Sequence, residues 1–382
     1  MVEASQPLGG KVVTKPFLVL AALAVIGGIL IIYRYLFGLG AVTNLSDGYP
    51  WGLWITYDVL VGTALGCGGY AMALLVYILN RWEYHPLVRS AVLTSVFGYT
   101  LAGVAVFLDI GRYWNGYHLF LPWYVNFNSV LVEVALCIGA YVVVLWIELA
   151  PTVLEGSSHP KAHPVRERLE RWLPVIVAVG VLLPTMHQSS LGTLMIIAGY
   201  KLSPLWQTGL LPLLFLLSAI TMGFAVTIFE SILSSLAFKR PFETPMIAKV
   251  GGVMAWVIGV YLIIRFGDLA VRGQVGLIFQ GNLNSLMFIV ENLCFLAALI
   301  LMASPATRSQ TRGLFLGSTA MLLAGSLYRF NAFLIGFSPG PGWHYFPALS
   351  EIFITLAIVA LELMAYLFFV KRYPVLPKVE HA

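Results

Sequence analysis

The feature that most limits how this chain can fold is a succession of apolar stretches, each close to the roughly 20 residues a helix needs to cross a bilayer. They lie near residues 16–37, 52–79, 88–110, 125–150, 171–186, 209–238, 246–267, 284–303, 312–334 and 348–371. Hydrocarbon offers no partner to a backbone amide, so such stretches are stable as helices whose hydrogen bonds close internally. The fold class that follows is an all-α integral membrane protein with about ten transmembrane helices. The fifth stretch is short and flanked by prolines, which makes it the weakest of the ten.

Composition agrees. Apolar residues make up 59% of the 382, charged residues 10%, and the mean hydropathy is +0.88, far from a soluble domain of this length. The 36 glycines and 20 prolines would interrupt water-soluble helices, but membrane helices tolerate both where neighbours satisfy the freed backbone groups.

Basic residues set the orientation, because inner loops carry the excess of Lys and Arg. An inner N-terminus places 16 of the 22 inside, among them Lys11, Lys15, Arg81, Arg89, Lys161, Arg171, Lys239, Arg240, Lys249, Arg308 and Arg312, and both termini on the cytoplasmic side. The net charge of +5 is accounted for by this topology and gives no ground for nucleic-acid binding. The first apolar run lacks a small-residue cleavage site, so it is expected to be a retained helix rather than a signal peptide.

Sliding the chain against itself by 156 residues lays Gly103, Val104, Gly111, Asn126, Asn128 and Ser129 over Gly259, Val260, Gly267, Asn282, Asn284 and Ser285. The same shift sets Asp109 and Arg112 over Arg265 and Asp268, an acid and base pair in reversed order. The expected organisation is a single polytopic domain over 1–382. It contains tandem four-helix bundles at 52–200 and 205–335, with flanking helices at 16–37 and 348–371.

Chemistry in such a chain falls to the ionisable residues, which are expensive at helix depth and face the bundle interior. Asp58, Asp109, Arg112, Glu133, His187, Arg265, Asp268, Glu291, Arg329 and Glu351 fall in or near the outer third. Glu148, Glu230 and Glu362 fall in the inner half, and Tyr99 is near the middle of the third span. The two acid and base pairs also read as structural ion pairs at the interface. Glu133 lies about a turn and a half inside the fourth span, where Asn128 or Ser129 is placed to cap the helix and a carboxylate must either pair or hold a proton. His187 follows Pro184 in Pro184-Thr185-Met186-His187-Gln188-Ser189-Ser190, where unwound backbone is expected to gather with several polar side chains. It serves equally well as a structural histidine or as a ligand.

A haem of the cytochrome b kind needs paired axial histidines at matched depth. His85, His159, His163 and His381 fall in cytoplasmic segments, His118 and His344 in outer loops, and His187 alone approaches helix depth, so no haem is expected. Cys67, Cys137 and Cys294 sit singly in apolar spans, without the close spacing of an iron–sulfur cluster or other metal site, and are expected to be packing residues.

Gln6-Pro7-Leu8-Gly9-Gly10, Tyr49-Pro50-Trp51-Gly52, Asp109-Ile110-Gly111-Arg112-Tyr113-Trp114-Asn115 and Leu183-Pro184-Thr185-Met186-His187-Gln188-Ser189-Ser190 together resemble the HybB-type membrane subunit of respiratory nickel–iron hydrogenases. That subunit belongs to the NrfD-like family of polysulfide-reductase membrane anchors. The resemblance implies a quinone-reactive subunit in a bacterial cytoplasmic membrane, acting on menaquinone or ubiquinone and carrying no haem or iron–sulfur cluster. It also implies a ferredoxin-like iron–sulfur partner that relays electrons from hydrogenase large and small subunits on the periplasmic side. Depth and chemistry, more than the resemblance, then place His187, Tyr99 and Glu133 to hydrogen-bond the quinone or deliver protons, with Gln188 nearby and Asp109 and Arg112 shaping the outer mouth. Glu148, about 22 Å below Glu133 on the same helix, and Glu230 are placed to feed protons from the cytoplasm.

The outer loops 38–51, 111–123 and 336–347, rich in aromatic residues, Gly and Pro, suit either partner docking or an interfacial aromatic belt. Two other classes remain open on the sequence: a secondary transporter, which also uses broken helices and buried carboxylates, and a passive anchor.

Overall fold

The computed structural model describes residues 5–155, 157 and 159–376. Lys378 and His381, assigned to the inner side by charge, lie outside the described residues. Ten long helical segments carry the chain: α1 (Lys15–Phe37), α2 (Trp54–Ile78), α3 (Val88–Asp109), α4 (Val130–Leu154), α5 (Ala162–Ala198), α6 (Leu211–Phe238), α7 (Thr244–Val271), α8 (Leu283–Ala303), α9 (Thr311–Phe330) and α10 (Leu349–Arg372). Among the described residues no strand forms. An antiparallel bridge joins Leu202 to Phe337.

Nine of the ten are long and apolar enough to cross a membrane. The exception is α9, which carries Arg312, Arg329 and several Gly and Ser residues within 20 residues, and which is prolonged by a wide π-type turn at Asn331–Ile335. The fifth span differs most from expectation. Instead of a short helix unwinding at Pro184, α5 runs unbroken for 37 residues. Its polar side chains fold back on the helix, Thr185 onto Val181 O at 2.8 Å and Ser189 onto Thr185 O at 2.9 Å.

Helix ends follow local chemistry. Proline occupies the first turn of α1, α6 and α7, where its missing N–H has no intrahelical partner to lose. Asn282 caps α8 by accepting from Ser285 N at 2.9 Å. At the end of α1, Gly38 takes φ +91°, a left-handed conformation that favours glycine. The α2 helix holds π-type turns at Trp54–Val61 and Leu74–Ile78.

The contacts divide the chain into two compact units. Among the described residues, one comprises 5–63, 92–180 (less 156 and 158) and 339–376; the other comprises 64–91 and 181–338. In the first unit α1 lies on α10, so close that a Cβ on Gly27 would overlap Ala357. Arg34 of α1 is buried there, donating to Leu108 O at 2.8 Å and Ile110 O at 2.5 Å and so covering the last carbonyls of α3. In the second unit Gly223 of α6 abuts the Cys67 carbonyl of α2, and the core is built on Trp206, Phe215, Tyr261, Phe288, Phe295 and Tyr328.

The close approach at Gly223 makes a testable demand. Gly223→Val is expected to destabilise the purified protein by about 1–3 kcal/mol. Gly259→Val, where a Cβ meets nothing within 4 Å, should leave the thermal midpoint in detergent unchanged.

Candidate functional site

In the second unit the unbroken turn of α5 buries both His187 and Gln188, each 0% exposed. His187 Nδ1 lies 2.9 Å from Leu183 O, so this nitrogen carries the hydrogen and donates. Gln188 Nε2 lies 3.2 Å from His187 Nε2, and Gln188 Oε1 accepts from Arg329 Nη2 at 3.2 Å. Arg329, also fully buried, donates through Nη1 to Ser218 Oγ and Gly325 O, both at 3.2 Å, and meets Met222 Sδ at 3.4 Å. Its guanidinium stands 5.4 Å from the Phe215 ring. One chain of polar groups thus ties α5, α6 and α9 together around a buried cation. Tyr70 of α2 joins α5 through Thr185 Oγ1 at 2.7 Å.

A second buried group sits on α7 and α8. Glu291 Oε2 accepts from Trp206 Nε1 at 2.9 Å and from Asn331 Nδ2 at 2.8 Å, with Arg265 Nη2 3.8 Å from Oε1. The wide turn at Asn331–Ile335 sets the position of Asn331. The expected pairing of Arg265 with Asp268 is not what forms. Asp268 binds Arg272 at 2.8 Å and Thr208 at 2.9 Å, because i,i+4 neighbours share a helix face, and Arg265 turns inward to Glu291.

The first unit holds the other expected residues. Tyr99 is 0% exposed and meets Tyr141 edge-on at 4.6 Å. Asp109 and Arg112 make no ion pair among the described residues: Arg112 is exposed, while Asp109 Oδ1 is buried without a hydrogen bond. Glu133 is half-buried and lies in the first turn of α4, shallower than a start near residue 125 implied, and Ser129 occupies the N-cap without a side-chain bond. Glu148 lies lower on α4 facing Gly180 of α5, and Glu230, in the second unit, lies on α6. The structure therefore brings His187 and Gln188 together, while Tyr99, Asp109, Arg112, Glu133 and Glu148 belong to the other unit.

A carboxylate hub in the first unit has no counterpart among the sequence expectations. Glu351 is 1% exposed; its Oε2 accepts from Asn44 N at 3.0 Å and Ala348 N at 2.8 Å, and its Oε1 accepts from Tyr345 OH at 2.6 Å. Tyr345 OH in turn accepts from Leu53 N at 2.7 Å. Nearby in the same unit, Asp58 accepts from Thr355 at 2.9 Å. Burial, and secondly the bond to Glu351, hold the Tyr345 phenol well above the usual tyrosine range, so it remains a donor.

Comparison with known proteins supplies the family. Residues 41–338 match the family described as "Polysulphide reductase, NrfD". A protein of Escherichia coli named "Probable Ni/Fe-hydrogenase 2 b-type cytochrome subunit" is 42% identical over 375 residues, covering 97% of this chain and 95% of that one. The "Menaquinone reductase, integral membrane subunit" of Nitratidesulfovibrio vulgaris is 33% identical over 258 residues, 63% of this chain and 59% of its own. A selenate reductase subunit of Mesobacillus selenatarsenatis is 23% identical over 283 residues, 67% and 64% respectively.

The first of these names corrects one expectation. A b-type cytochrome is a haem protein by definition, so the inference from sequence that no haem is bound conflicts with the Escherichia coli relative's name and is withdrawn. Among the described residues His187 is the buried histidine, and its ring nitrogens meet Leu183 O and Gln188 Nε2. As arranged, these groups do not fit an axial haem ligand.

Tyr345→Phe leaves Glu351 Oε1 and Leu53 N without this partner, and is expected to cost about 1–3 kcal/mol. The phenol's raised folded-state value also fixes a sign. Its contribution is complete below the unfolded tyrosine value of about 10 and fades as pH rises above it. Thermal melts should show the native protein losing stability on the alkaline side more steeply than Tyr345→Phe.

Proposed function

We propose, on the premise that this chain belongs to the polysulphide reductase NrfD family, that it is the quinone-reactive membrane subunit of a hydrogen:quinone oxidoreductase complex. The family membership makes it a multi-pass subunit of a bacterial respiratory type of complex, and relatives in hydrogenase and menaquinone-reductase complexes support a membrane partner for an oxidoreductase. The observation that carries the finer reading is the buried polar chain His187, Gln188, Arg329 within the matched region.

Quinone reduction joins two electrons and two protons to one head group. The electrons come from an iron–sulfur subunit of ferredoxin type, docked on the periplasmic side and fed by nickel–iron hydrogenase large and small subunits. The aromatic outer residues Trp114, Tyr117, Phe120, Trp123 and Phe127, all exposed, supply part of that docking surface. Both termini lie on the cytoplasmic side of the inner membrane, and the duplicated bundles at 52–200 and 205–335 reflect the internal repeat.

Negative charge grows on the quinone oxygens as electrons arrive, and a fixed cation in a low-dielectric interior stabilises it without reorganising. Arg329 supplies that cation. His187, with its Nδ1 hydrogen committed to Leu183, orients the Gln188 amide, and Gln188 orients Arg329. Within the first unit, Tyr99 and Glu133 are the candidate hydrogen-bond donor and proton carrier, with Asp109 and Arg112 toward its outer end. Glu148 and Glu230 bring protons from the cytoplasmic side.

Hydrogen-dependent quinone reduction by the purified complex tests this, with dye-linked hydrogenase activity as the internal control. His187→Ala, which removes the group that orients Gln188, and Glu133→Gln, which removes a positioned proton carrier, are each expected to lower quinone reduction by about an order of magnitude or more while dye reduction persists. Unchanged quinone reduction in both variants would return the chain to the passive-anchor or transporter class. Glu148→Gln should in addition slow proton uptake while the complex still assembles, and undiminished uptake would remove that step.

A further inference from the structure

The second unit contains buried polar groups for which quinone chemistry has no use. Arg265 and Glu291, 1% and 0% exposed, face each other at 3.8 Å. A closed arginine–carboxylate pair has N–H···O contacts of about 2.7–2.9 Å. Among the described residues, Nε, Nη1 and Nη2 of Arg265 and Oε1 of Glu291 make no hydrogen bond, and neither do the hydroxyls of Tyr261 and Tyr328, both 0% exposed. Buried polar atoms are satisfied almost everywhere in folded proteins. A concentration of them in one place therefore indicates a site that exchanges something polar.

The groups are neighbours. Tyr261 lies one turn before Arg265 on α7, the Tyr328 ring is 5.4 Å from the guanidinium, and the rings of Tyr261 and Tyr328 are 5.9 Å apart. We propose that Glu291 is a reversible proton-binding site inside the second unit, with Arg265 as its counter-charge and the two phenols as its polar lining.

The asymmetry of the carboxylate supports this. Oε2 is held by Trp206 and Asn331, whereas Oε1 accepts no hydrogen bond among the described residues. A proton carried in by water forms its O–H bond at Oε1, and the remaining carbonyl at Oε2 keeps both donors. No electron moves, and release returns the proton to water. Neutralising Glu291 does not strand Arg265 in hydrocarbon, because the Phe288 and Tyr328 rings lie 5.0 and 5.4 Å from its guanidinium and their faces attract a cation. The ionisable groups around Arg265 are Tyr261, Glu291, Tyr328 and Asp268, and Arg329 is the second cation near Tyr261. Asp268 is committed to Arg272 and Thr208, so Glu291 is the carboxylate facing Arg265 with an oxygen to spare.

The test is infrared difference spectroscopy on the full chain in lipid nanodiscs as pH is stepped from acid to alkaline, comparing native protein with Glu291→Gln. Glutamine keeps an oxygen that accepts from Trp206 and Asn331, so the variant retains the local fold. The native-minus-variant spectrum is expected to contain one protonated-carboxyl band that appears and disappears with pH. A flat double difference across the range in which both proteins stay folded overturns the proposal. Should Glu291→Gln fail to accumulate, the indole N–H vibration of Trp206 in the native chain decides. It shifts if its acceptor changes from carboxylate to acid, and a constant band across the same pH range overturns the proposal. Neither readout involves quinone or a second protein, so failure of the quinone reading leaves this result interpretable.

Discussion

Charge buried at hydrocarbon depth is the constraint on which the rest of this structure depends. A membrane interior gives a guanidinium or carboxylate no water, so each must find dipoles, rings or counter-ions within its own fold. Arg34 solves the problem with two backbone carbonyls at the end of α3. Arg329 uses a hydroxyl, a carbonyl, a thioether and the Gln188 amide, and Arg265 uses two aromatic faces and an unclosed approach to Glu291. These solutions fix helix positions. Ser218, Gln188 and Arg329 must stay in register for the network to exist, and any slip of α9 would strand a cation in apolar surroundings.

The same constraint links architecture to chemistry. Helices of the second unit approach closely through glycine, as Gly223 does against Cys67, and leave interior volume to polar side chains. The π-type turn at Asn331–Ile335 carries the adaptation furthest. A wider turn resets the side-chain directions that follow it, and here it aims Asn331 at a carboxylate 40 residues earlier in the chain. Polar networks of this kind suit a polytopic membrane subunit that must hold charge inside a bilayer.

Much of the fold was legible because the bilayer imposes a simple rule on sequence. Apolar length marked every helix but α5 within a few residues, including α9, whose two arginines and small residues lower its apolar content; α5 extends well past both ends of the apolar stretch 171–186. The break expected at Pro184 is absent because the N–H that proline lacks affects one hydrogen bond, and Thr185 and Ser189 return their hydroxyls to the helix. The burial of His187, Gln188, Tyr99, Glu291 and Arg329 follows from ionisable or polar residues lying inside apolar runs. Their partners were not legible. Trp206 lies 85 residues from Glu291, and nothing local in the sequence distinguishes it from an interfacial tryptophan. The i,i+3 spacing of Arg265 and Asp268 suggested a pair, but Arg272 one turn further offered Asp268 a better face. The Glu351 and Tyr345 network depends on backbone amides of Asn44 and Leu53 brought in from the far end of the chain, which no pattern of side chains announces.

The central claim is that quinone reacts on this chain. Photolabelling of the purified complex in lipid with a photoreactive quinone analogue, followed by mass-spectrometric mapping, measures it most directly. Adducts are expected on peptides carrying Tyr99, Glu133 or His187 and Gln188, suppressed by excess native quinone. Labelling confined to other subunits, or spread over lipid-facing residues and indifferent to competing quinone, would contradict it.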